Sequence, residues 1–179
     1  MATPHISFKP KVIVKKLLSS LPDRAREVLI FRYGLGKDEK RLTLDAIGKK
    51  YGITRERVRQ IENHALASLK KSPAFAQAEG AFNELERIID SLGGIVCEDD
   101  LLNFMTKDKS MQNHIYFLLV LGDPFKYRKE DEEVRRCWYV DPDLAQKILD
   151  EMFVFENLND LDDRSIQLLL REVQSDSLI

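Results

Sequence analysis

The chain has 179 residues and 44% of them are hydrophobic, enough to bury a core and too many for a disordered chain. No apolar run approaches the roughly 18 residues that indicate a membrane-spanning helix, and the N-terminus lacks the apolar core of a signal peptide. We therefore expect a soluble, cytoplasmic protein with no membrane contact.

The net charge of −2 conceals an asymmetry between two segments. Residues 1–72 carry 17 Lys+Arg against 7 Asp+Glu, whereas residues 73–179 carry 11 against 23. The net charges of these segments, +10 and −12, predict two domains with different partners. The basic segment has the charge that is typical of a nucleic-acid-binding domain.

The basic segment begins with two predicted helices. An amphipathic helix is expected over residues 11–19. A second helix is expected to have Pro22 at its first position and Asp23 in its first turn, where an acid suits the helix dipole. Gly34 or Gly36 is predicted to end this helix, and a polar loop follows.

Two further helices are predicted to meet at a glycine turn. Thr43 is the expected N-cap of a short helix, and Gly52 permits the tight turn that follows it. Thr54 is the expected cap of a longer basic helix from about Arg55 to Lys70. This order of elements is typical of a helix-turn-helix.

The acidic segment predicts a winged helix after a linker at residues 73–80. Residues 81–142 show the pattern of a helix, a short strand, two more helices and a β-hairpin with the acidic tip "KEDEEV". Helices at 143–152 and 163–173 are predicted within a C-terminal segment, residues 143–179. The predicted fold is mostly α: a helix-turn-helix domain plus a winged-helix (α+β) domain with extra C-terminal helices.

The basic helix separates an apolar face from a polar one. Apolar residues recur at helical spacing from Val58 to Leu69. Polar side chains crowd the other side near the helix N-terminus, namely Arg55, Glu56, Arg57, Arg59, Gln60 and Asn63. Arginine pairs with guanine, glutamine with adenine, and glutamate accepts from cytosine, so this face is predicted to read bases while flanking arginines hold phosphates. The alternative is an ordinary surface helix in which Glu56 pairs with Arg59 or Gln60.

These residues resemble a known family. "LPDRAREVL", "RYGLG", "IGKKYGITRERVRQIE" and "AL..LK" occur in order within residues 12–72. They resemble region four, the C-terminal promoter-binding region, of bacterial primary-type sigma factors. The family usually has Glu at position 25 and Arg at position 67, where this chain has alanines off the predicted reading face. No aromatic-rich segment for promoter melting precedes residue 11, so we expect that the chain is not a complete sigma factor.

The resemblance implies contacts with DNA and with RNA polymerase. It implies that four side chains face the upstream promoter element: Arg55, Glu56, Arg59 and Gln60. It implies contacts with the DNA backbone from Arg57, Thr43 and Lys49. It also implies that the first helices can grip the flap of the polymerase β subunit.

A second resemblance links the acidic segment to the winged-helix module of the RNA polymerase delta subunit. It rests on the helix order, on "GDPFKYRK" and on the closing "CWYV". The third helix of this segment, "SMQNHIYFLLVLG", has no Arg or Lys, and its apolar run is predicted to be core. We expect this segment to bind protein rather than DNA, either on polymerase or by folding back and shielding the reading helix.

No motif for catalysis, a cofactor or a metal is present. The histidines are not spaced as metal ligands: His5, His64 and His114. No P-loop, GxSxG or HExxH occurs, and the acidic clusters at Asp99 and Asp160 fit no EF-hand loop. Cys97 and Cys137 are predicted to be reduced core thiols. We therefore expect no cofactor and no enzyme activity.

Two functions compete at this point. The first is a transcription factor that recognises promoter-like duplex DNA and contacts RNA polymerase. The second is an interaction protein that occupies the polymerase flap and competes with a sigma factor, with DNA binding incidental. The sequence leaves the target site, the sign of regulation and the oligomeric state open.

Overall fold

A computed structural model of the chain describes residues 6–132 and 134–159, with side chains given up to residue 151. The chain divides into two compact units, Met1–Val140 and Asp141–Ile179. The first unit begins with the helices α1 (Pro10–Leu18), α2 (Asp23–Tyr33), α3 (Leu44–Tyr51), α4 (Arg55–Lys70) and α5 (Pro73–Ala76). It continues with α6 (Glu79–Ser91), β1 (Ile95–Cys97), α7 (Glu98–Met105), α8 (Lys109–Leu121), β2 (Lys126–Arg128) and β3 (Cys137–Tyr139).

The ends of the first helices follow from local chemistry. The Thr43 hydroxyl accepts a hydrogen bond from the Ala46 N–H at 3.1 Å, and α2 ends at Gly34, which adopts the left-handed conformation with φ 65°. Both features confirm the sequence prediction. The position of Pro22 was predicted wrongly by one residue: it is the extended N-cap of α2, with ψ 148°, and Asp23 is the first helical residue. The fixed φ of proline suits either position.

The predicted winged helix is confirmed as a fold. Three helices, α6, α7 and α8, precede an antiparallel hairpin of β2 and β3. The strand β1 also pairs antiparallel with β3, which gives a three-stranded sheet in the order β1-β3-β2. The fold is therefore mostly helical, as the composition and periodicity of the sequence predict.

The basic and acidic segments share one hydrophobic core. The apolar faces of α1 and α2 pack against α8, where the rings of Tyr33 and Phe117 meet edge to face with centroids 5.1 Å apart. The same cluster includes Leu69 at the end of α4. The predicted linker, residues 73–80, is itself largely helical, forming α5 and the start of α6. Its role as a boundary between separately folding domains stays a prediction.

A buried polar junction joins the two segments. Asn113 on α8 is 0% exposed, and its amide nitrogen donates to the backbone oxygens of Gly34 at 3.0 Å and Glu39 at 2.8 Å. Its amide oxygen accepts from Nε of Arg41 at 2.9 Å. A carbonyl left unpaired away from water costs free energy, so Asn113 fixes the loop between α2 and α3 on the winged helix. We call these four residues the buried junction.

The buried junction extends to the carboxylate of Glu98. The Arg41 guanidinium lies 3.8 Å from the centre of the Tyr116 ring and 3.9 Å from Oε1 of Glu98. Burial lowers the pKa of Arg41 from its usual value, and the neighbouring ring and carboxylate oppose that shift. Glu98 also accepts a hydrogen bond from Nε1 of Trp138 at 3.2 Å and lies 3.7 Å from Nε of Arg136. A buried charge needs such partners.

The second unit contains α9 (Pro142–Asn159). The carboxylate of Asp141 accepts hydrogen bonds from the N–H groups of Asp143 and Leu144, at 2.9 and 3.1 Å, in the first turn of this helix. The helix predicted at residues 143–152 is thus confirmed, and the one predicted at 163–173 lies outside the described residues. Among the helices described, none is long and apolar enough to cross a membrane.

The first prediction concerns the buried junction. The substitution Asn113→Ala leaves the carbonyls of Gly34 and Glu39 and the Arg41 guanidinium without their partner, so it should lower the free energy of unfolding by about 2–3 kcal/mol. Urea titration followed by circular dichroism measures this loss. The control is Asn83→Ala on the exposed face of α6, which should change stability by less than about 0.5 kcal/mol. Equal losses in the two variants would contradict the role assigned to Asn113.

Candidate nucleic-acid interface

The helices α3 and α4 form the helix-turn-helix, held by a small apolar cluster of its own. Val28, Ile47 and Val58 are each 0% exposed and pack together, one from each of α2, α3 and α4. Gly52 turns the chain with φ 65°, and the Thr54 hydroxyl caps α4 by accepting from the Arg57 N–H at 3.2 Å. The predicted bounds of α4 are confirmed.

The turn also depends on close approach at Gly48. The N–H of Ile53 donates to the Gly48 oxygen at 3.0 Å. A Cβ at residue 48 would lie 2.6 Å from the Ile53 oxygen, nearer than such atoms approach in proteins. The glycine therefore allows α3 to pack directly on the turn, and this sets the angle at which α4 leaves it.

The structure brings the predicted reading residues together on one exposed face. The side chains predicted to contact DNA from α4 are all exposed: Arg55, Glu56, Arg57, Arg59, Gln60 and Asn63. The opposite face carries Val58, Ala65 and Leu69, all at or below 1% exposure. One end of α4 is thus held in the small cluster and the other in the large core, while its polar side is presented to solvent.

Two pairs of reading residues contact each other along the helix. Arg59 donates from Nε and Nη2 to the two carboxylate oxygens of Glu56 at 2.8 and 2.7 Å. Arg57 donates from Nη1 to the Gln60 side-chain oxygen at 3.1 Å. The hydrogen bonds from Arg59 lower the pKa of Glu56. The pairing that the alternative interpretation predicts is therefore present, but exposed pairs of this kind contribute little and leave the side chains available to a partner.

Two of the three predicted backbone contacts belong to α3: Thr43 is its N-cap and Lys49 lies within the helix. Thr43 is exposed, and although its oxygen caps α3, its hydroxyl hydrogen remains a donor. Lys49 is exposed and its Nζ lies 2.9 Å from the Asp45 carboxylate, one turn away on the same helix. Contact of Thr43 and Lys49 with phosphate stays a prediction.

Glu62 was not among the predicted site residues, yet it anchors α4 from within. Glu62 is only 8% exposed; it accepts from the Tyr33 hydroxyl at 2.8 Å and lies 3.3 Å from Nε of Arg32. Burial, and next the Glu62 charge, raise the pKa of Tyr33 far above its usual value. The signal available in the sequence was a glutamate next to the apolar stripe, with a tyrosine and an arginine side by side at the end of α2.

A cleft beside the reading face was also missed. It is lined by residues of α2 and α4, including Arg24, Arg57, Gln60 and His64. The Arg24 guanidinium lies 5.6 Å from the centre of the Tyr51 ring. His64, predicted to be a packing or solvent residue, is exposed here. The basic surface therefore extends from the reading face toward the start of α2.

Three arginines of the winged helix bond carboxylates of the same segment. Arg135 and Arg136 bond the carboxylates of Asp100 and Asp99 at 2.8 and 3.0 Å, and Arg128 bonds Asp131 at 2.8 Å. Within Met1–Val140, the winged helix packs on α1 and α2 and leaves the reading face exposed. The expectation that the acidic segment shields the reading helix is therefore wrong for residues 81–132 and 134–140.

Three consecutive polar residues of α8 are buried, namely Gln112, Asn113 and His114. Gln112 donates to the Asn103 side chain at 3.1 Å and to the Thr106 backbone oxygen at 2.9 Å. His114 is 8% exposed with Nδ1 2.7 Å from the Ser110 oxygen, and burial lowers its pKa. In residues 6–132 and 134–159, no group of three or more His, Cys, Asp or Glu side chains could hold a metal ion. His5 and Asp160 lie outside the described residues.

Comparison with known proteins identifies the helix-turn-helix. Residues 17–71 match the family model of Sigma-70, region 4. The RNA polymerase principal sigma factor HrdD of Streptomyces griseus is 47% identical over 55 residues, or 31% of this chain and 16% of the relative. RNA polymerase sigma factor RpoS of Coxiella burnetii is 51% identical over 57 residues, which are 32% of this chain and 16% of the relative. RNA polymerase sigma factor RpoD of Helicobacter pylori is 42% identical over 67 residues, or 37% and 10%.

The comparisons cover only part of the chain and of its relatives. The chain spans about a sixth of these sigma factors or less, and the region-four model matches residues 17–71. At the other end, residues 139–179 match the model of the FliG C-terminal domain. The resemblance of the winged helix to the RNA polymerase delta subunit is not confirmed. The sigma region-four resemblance of the basic segment is confirmed.

A prediction about the turn follows from the geometry at Gly48. In the Gly48→Ala variant the added methyl group meets the Ile53 oxygen, and the free energy of unfolding should fall by about 1–3 kcal/mol as α3 and the turn separate. The control is Gly80→Ala in α6, where an added Cβ has nothing within 4 Å. That variant should lose no stability and gain up to about 1 kcal/mol. Denaturant titration of both compares the two sites, and a stable Gly48→Ala chain would contradict the close approach.

Proposed function

We propose that the chain is a sequence-specific transcription factor that recognises promoter-like duplex DNA through α3 and α4. The observation that carries the proposal is the exposed polar face at the N-terminal end of α4, held rigidly in a region-four helix-turn-helix. In helix-turn-helix proteins the N-terminal residues of the second helix contact base edges in the major groove. The activity is binding, with no catalytic step.

Base reading is assigned to the centre of the reading face. Arg55, Glu56, Arg59 and Gln60 can pair with base edges, and Asn63 one turn further along is proposed to contact the same groove. To contact bases, Arg59 must release Glu56 and Gln60 must release Arg57, the side chains that they bond within α4. Since both intrahelical contacts lie at the surface, that exchange costs little.

Phosphate contacts are assigned to the rim of the reading face. Arg57 at the start of α4 and Lys49 on α3 supply positive charge, and Thr43 supplies a neutral donor. Such contacts fix the register of the protein on the duplex without reading sequence. Arg24 at the adjacent cleft extends the rim toward α2.

RNA polymerase is the proposed protein partner. A groove lined by α1, α2, the loop after α2 and the start of α8 combines the apolar side chains of Leu18, Ile30 and Leu35 with the basic ones of Lys15 and Arg26. This groove suits an apolar element with acidic neighbours, and we place the contact with the polymerase flap here. The remaining apolar face of these helices is buried against α8, so a flap element could reach it only by displacing the winged helix.

The alternative function makes the same groove the principal site. In that case the chain occupies the flap, competes with a sigma factor and contacts DNA incidentally. The exposed reading face favours the DNA-binding function, because a protein that only blocks the flap has no need of it.

The DNA-binding function predicts strong salt dependence. The full chain should be used, since cutting after residue 72 exposes core side chains such as Leu17 and Leu69. With at least Arg57 and Lys49 on phosphates, a plot of log affinity against log salt should have a slope of about −2 or steeper. Mobility shift with promoter-like duplex measures it, and a slope near zero would sink the proposal.

The same assay separates the two functions. Adding RNA polymerase to the complex of the chain with DNA should give a slower, ternary band if the chain acts as a promoter-recognition factor. Displacement of a sigma factor from polymerase, with affinity for DNA that is weak and independent of sequence, would instead establish the alternative.

The division of roles on the reading face gives a further prediction. The Arg59→Ala variant should lose about 1–3 kcal/mol of binding free energy on the preferred sequence and relax preference at one base pair. Lys49→Ala should weaken binding on every sequence alike and make the salt slope shallower by about one. Selection from a randomised duplex pool measures both effects.

The control for these two variants is Arg87→Ala, which removes an exposed arginine of α6 far from the helix-turn-helix in sequence. It should leave affinity and sequence preference unchanged. If Arg59→Ala and Lys49→Ala gave the same sequence profile, the assignment of base and phosphate contacts would be wrong.

A further inference from the structure

The two cysteines of the chain, far apart in sequence, lie directly opposite each other in the sheet. Cys97 ends the edge strand β1, and its partner in the register is Cys137, which begins the central strand β3. Both are free thiols. This pairing could not be predicted from the sequence, because 39 residues separate the two positions.

The hydrogen bond next to the two cysteines shows which type of cross-strand pair they form. The N–H of Glu98 donates to the Arg136 oxygen at 3.1 Å, so Glu98 and Arg136 form a hydrogen-bonded pair. Hydrogen-bonded and non-hydrogen-bonded pairs alternate along an antiparallel ladder. The neighbouring pair, Cys97 and Cys137, is therefore a non-hydrogen-bonded pair. In such pairs the Cα atoms are about 4.5 Å apart and the side chains share one face, within the range of about 4.4–6.8 Å that disulfides span.

The two thiols differ in their access to solvent. Cys97 is half-buried, whereas Cys137 is 2% exposed and burial raises its pKa. The more accessible of two thiols is the one that a small oxidant reaches first.

We propose that Cys97 and Cys137 are a peroxide-sensitive site that closes to an intramolecular disulfide across β1 and β3. The Cys97 thiolate attacks hydrogen peroxide, the O–O bond breaks, and hydroxide leaves and takes up a proton to form water, giving a sulfenic acid. The Cys137 sulfur attacks the Cys97 sulfur; the S–O bond breaks, the S–S bond forms, and the hydroxyl leaves as water with the thiol proton. Two thiols are oxidised and one peroxide is reduced to two waters.

The disulfide would reinforce the edge of a small sheet. Each strand has three residues, and the bond closes a loop that contains α7, α8 and the hairpin. Closing a loop of this length restricts the unfolded chain. The residue after Cys97 is Glu98, which holds Trp138, Arg136 and Arg41, so the bond forms next to the buried junction without using any of its groups.

The test treats the reduced full chain with a few equivalents of hydrogen peroxide at neutral pH. We expect a monomer that has lost the mass of two hydrogen atoms, a Cys97–Cys137 cross-linked peptide after digestion, and a melting temperature raised by about 5–10 °C. Dithiothreitol should reverse all three changes. The proposal is independent of DNA binding, because mass, peptide map and melting temperature are read without DNA.

The matched controls remove one sulfur at a time. Cys137→Ala should leave Cys97 without a resolving thiol, so that peroxide adds oxygen atoms to the chain or links two chains. Cys97→Ser should leave the buried Cys137 slow to react. The proposal is overturned if the oxidised wild-type chain keeps two thiols that alkylate after denaturation, if Cys97 carries added oxygen while Cys137 stays a thiol, or if only disulfides between chains form.

Discussion

The amide of Asn113 is the contact on which the arrangement of the first unit depends. It is wholly buried, and its amide nitrogen and oxygen both bond the segment between α2 and α3, at Gly34, Glu39 and Arg41. A buried polar network is stabilising when its members are satisfied and destabilising when one is lost. Because Gly34 begins this loop and the loop leads into α3, a single side chain of the winged helix determines where the helix-turn-helix is held.

The helices and their caps could be predicted from the sequence because they depend on neighbours in the chain. Thr43, Thr54 and Gly52 act on backbone groups within a few residues, and the period of apolar residues identifies the buried face of α4. The element against which a buried helix face packs could not be predicted in the same way. Nothing in the period of α1 or α8 indicates that the two helices pack against each other, so the large core that both segments share could not be predicted from the sequence.

The residues that escaped prediction share one property: their roles depend on contacts distant in sequence. Asn113, Glu62 and Cys97 each meet partners at least 29 residues away. A polar residue in an apolar run indicates that its side chain needs a hydrogen-bond partner in the core. The identity of that partner is known only once the fold is known. The exposed face that carries the candidate DNA contacts of α4 could be predicted from the sequence because those residues lie on one continuous helix with a known period.

The charges of the first unit have a consequence for the speed of encounter with a polyanion. Residues 1–72 carry a net +10 and residues 73–140 carry 8 Lys+Arg against 13 Asp+Glu, and both sets belong to one compact unit. A body with separated charge of opposite sign experiences a torque in an external field. Near a row of phosphates, this torque turns the basic side toward the nucleic acid before any contact forms. A larger fraction of encounters then occurs in the binding orientation, and association is faster than the small net charge suggests.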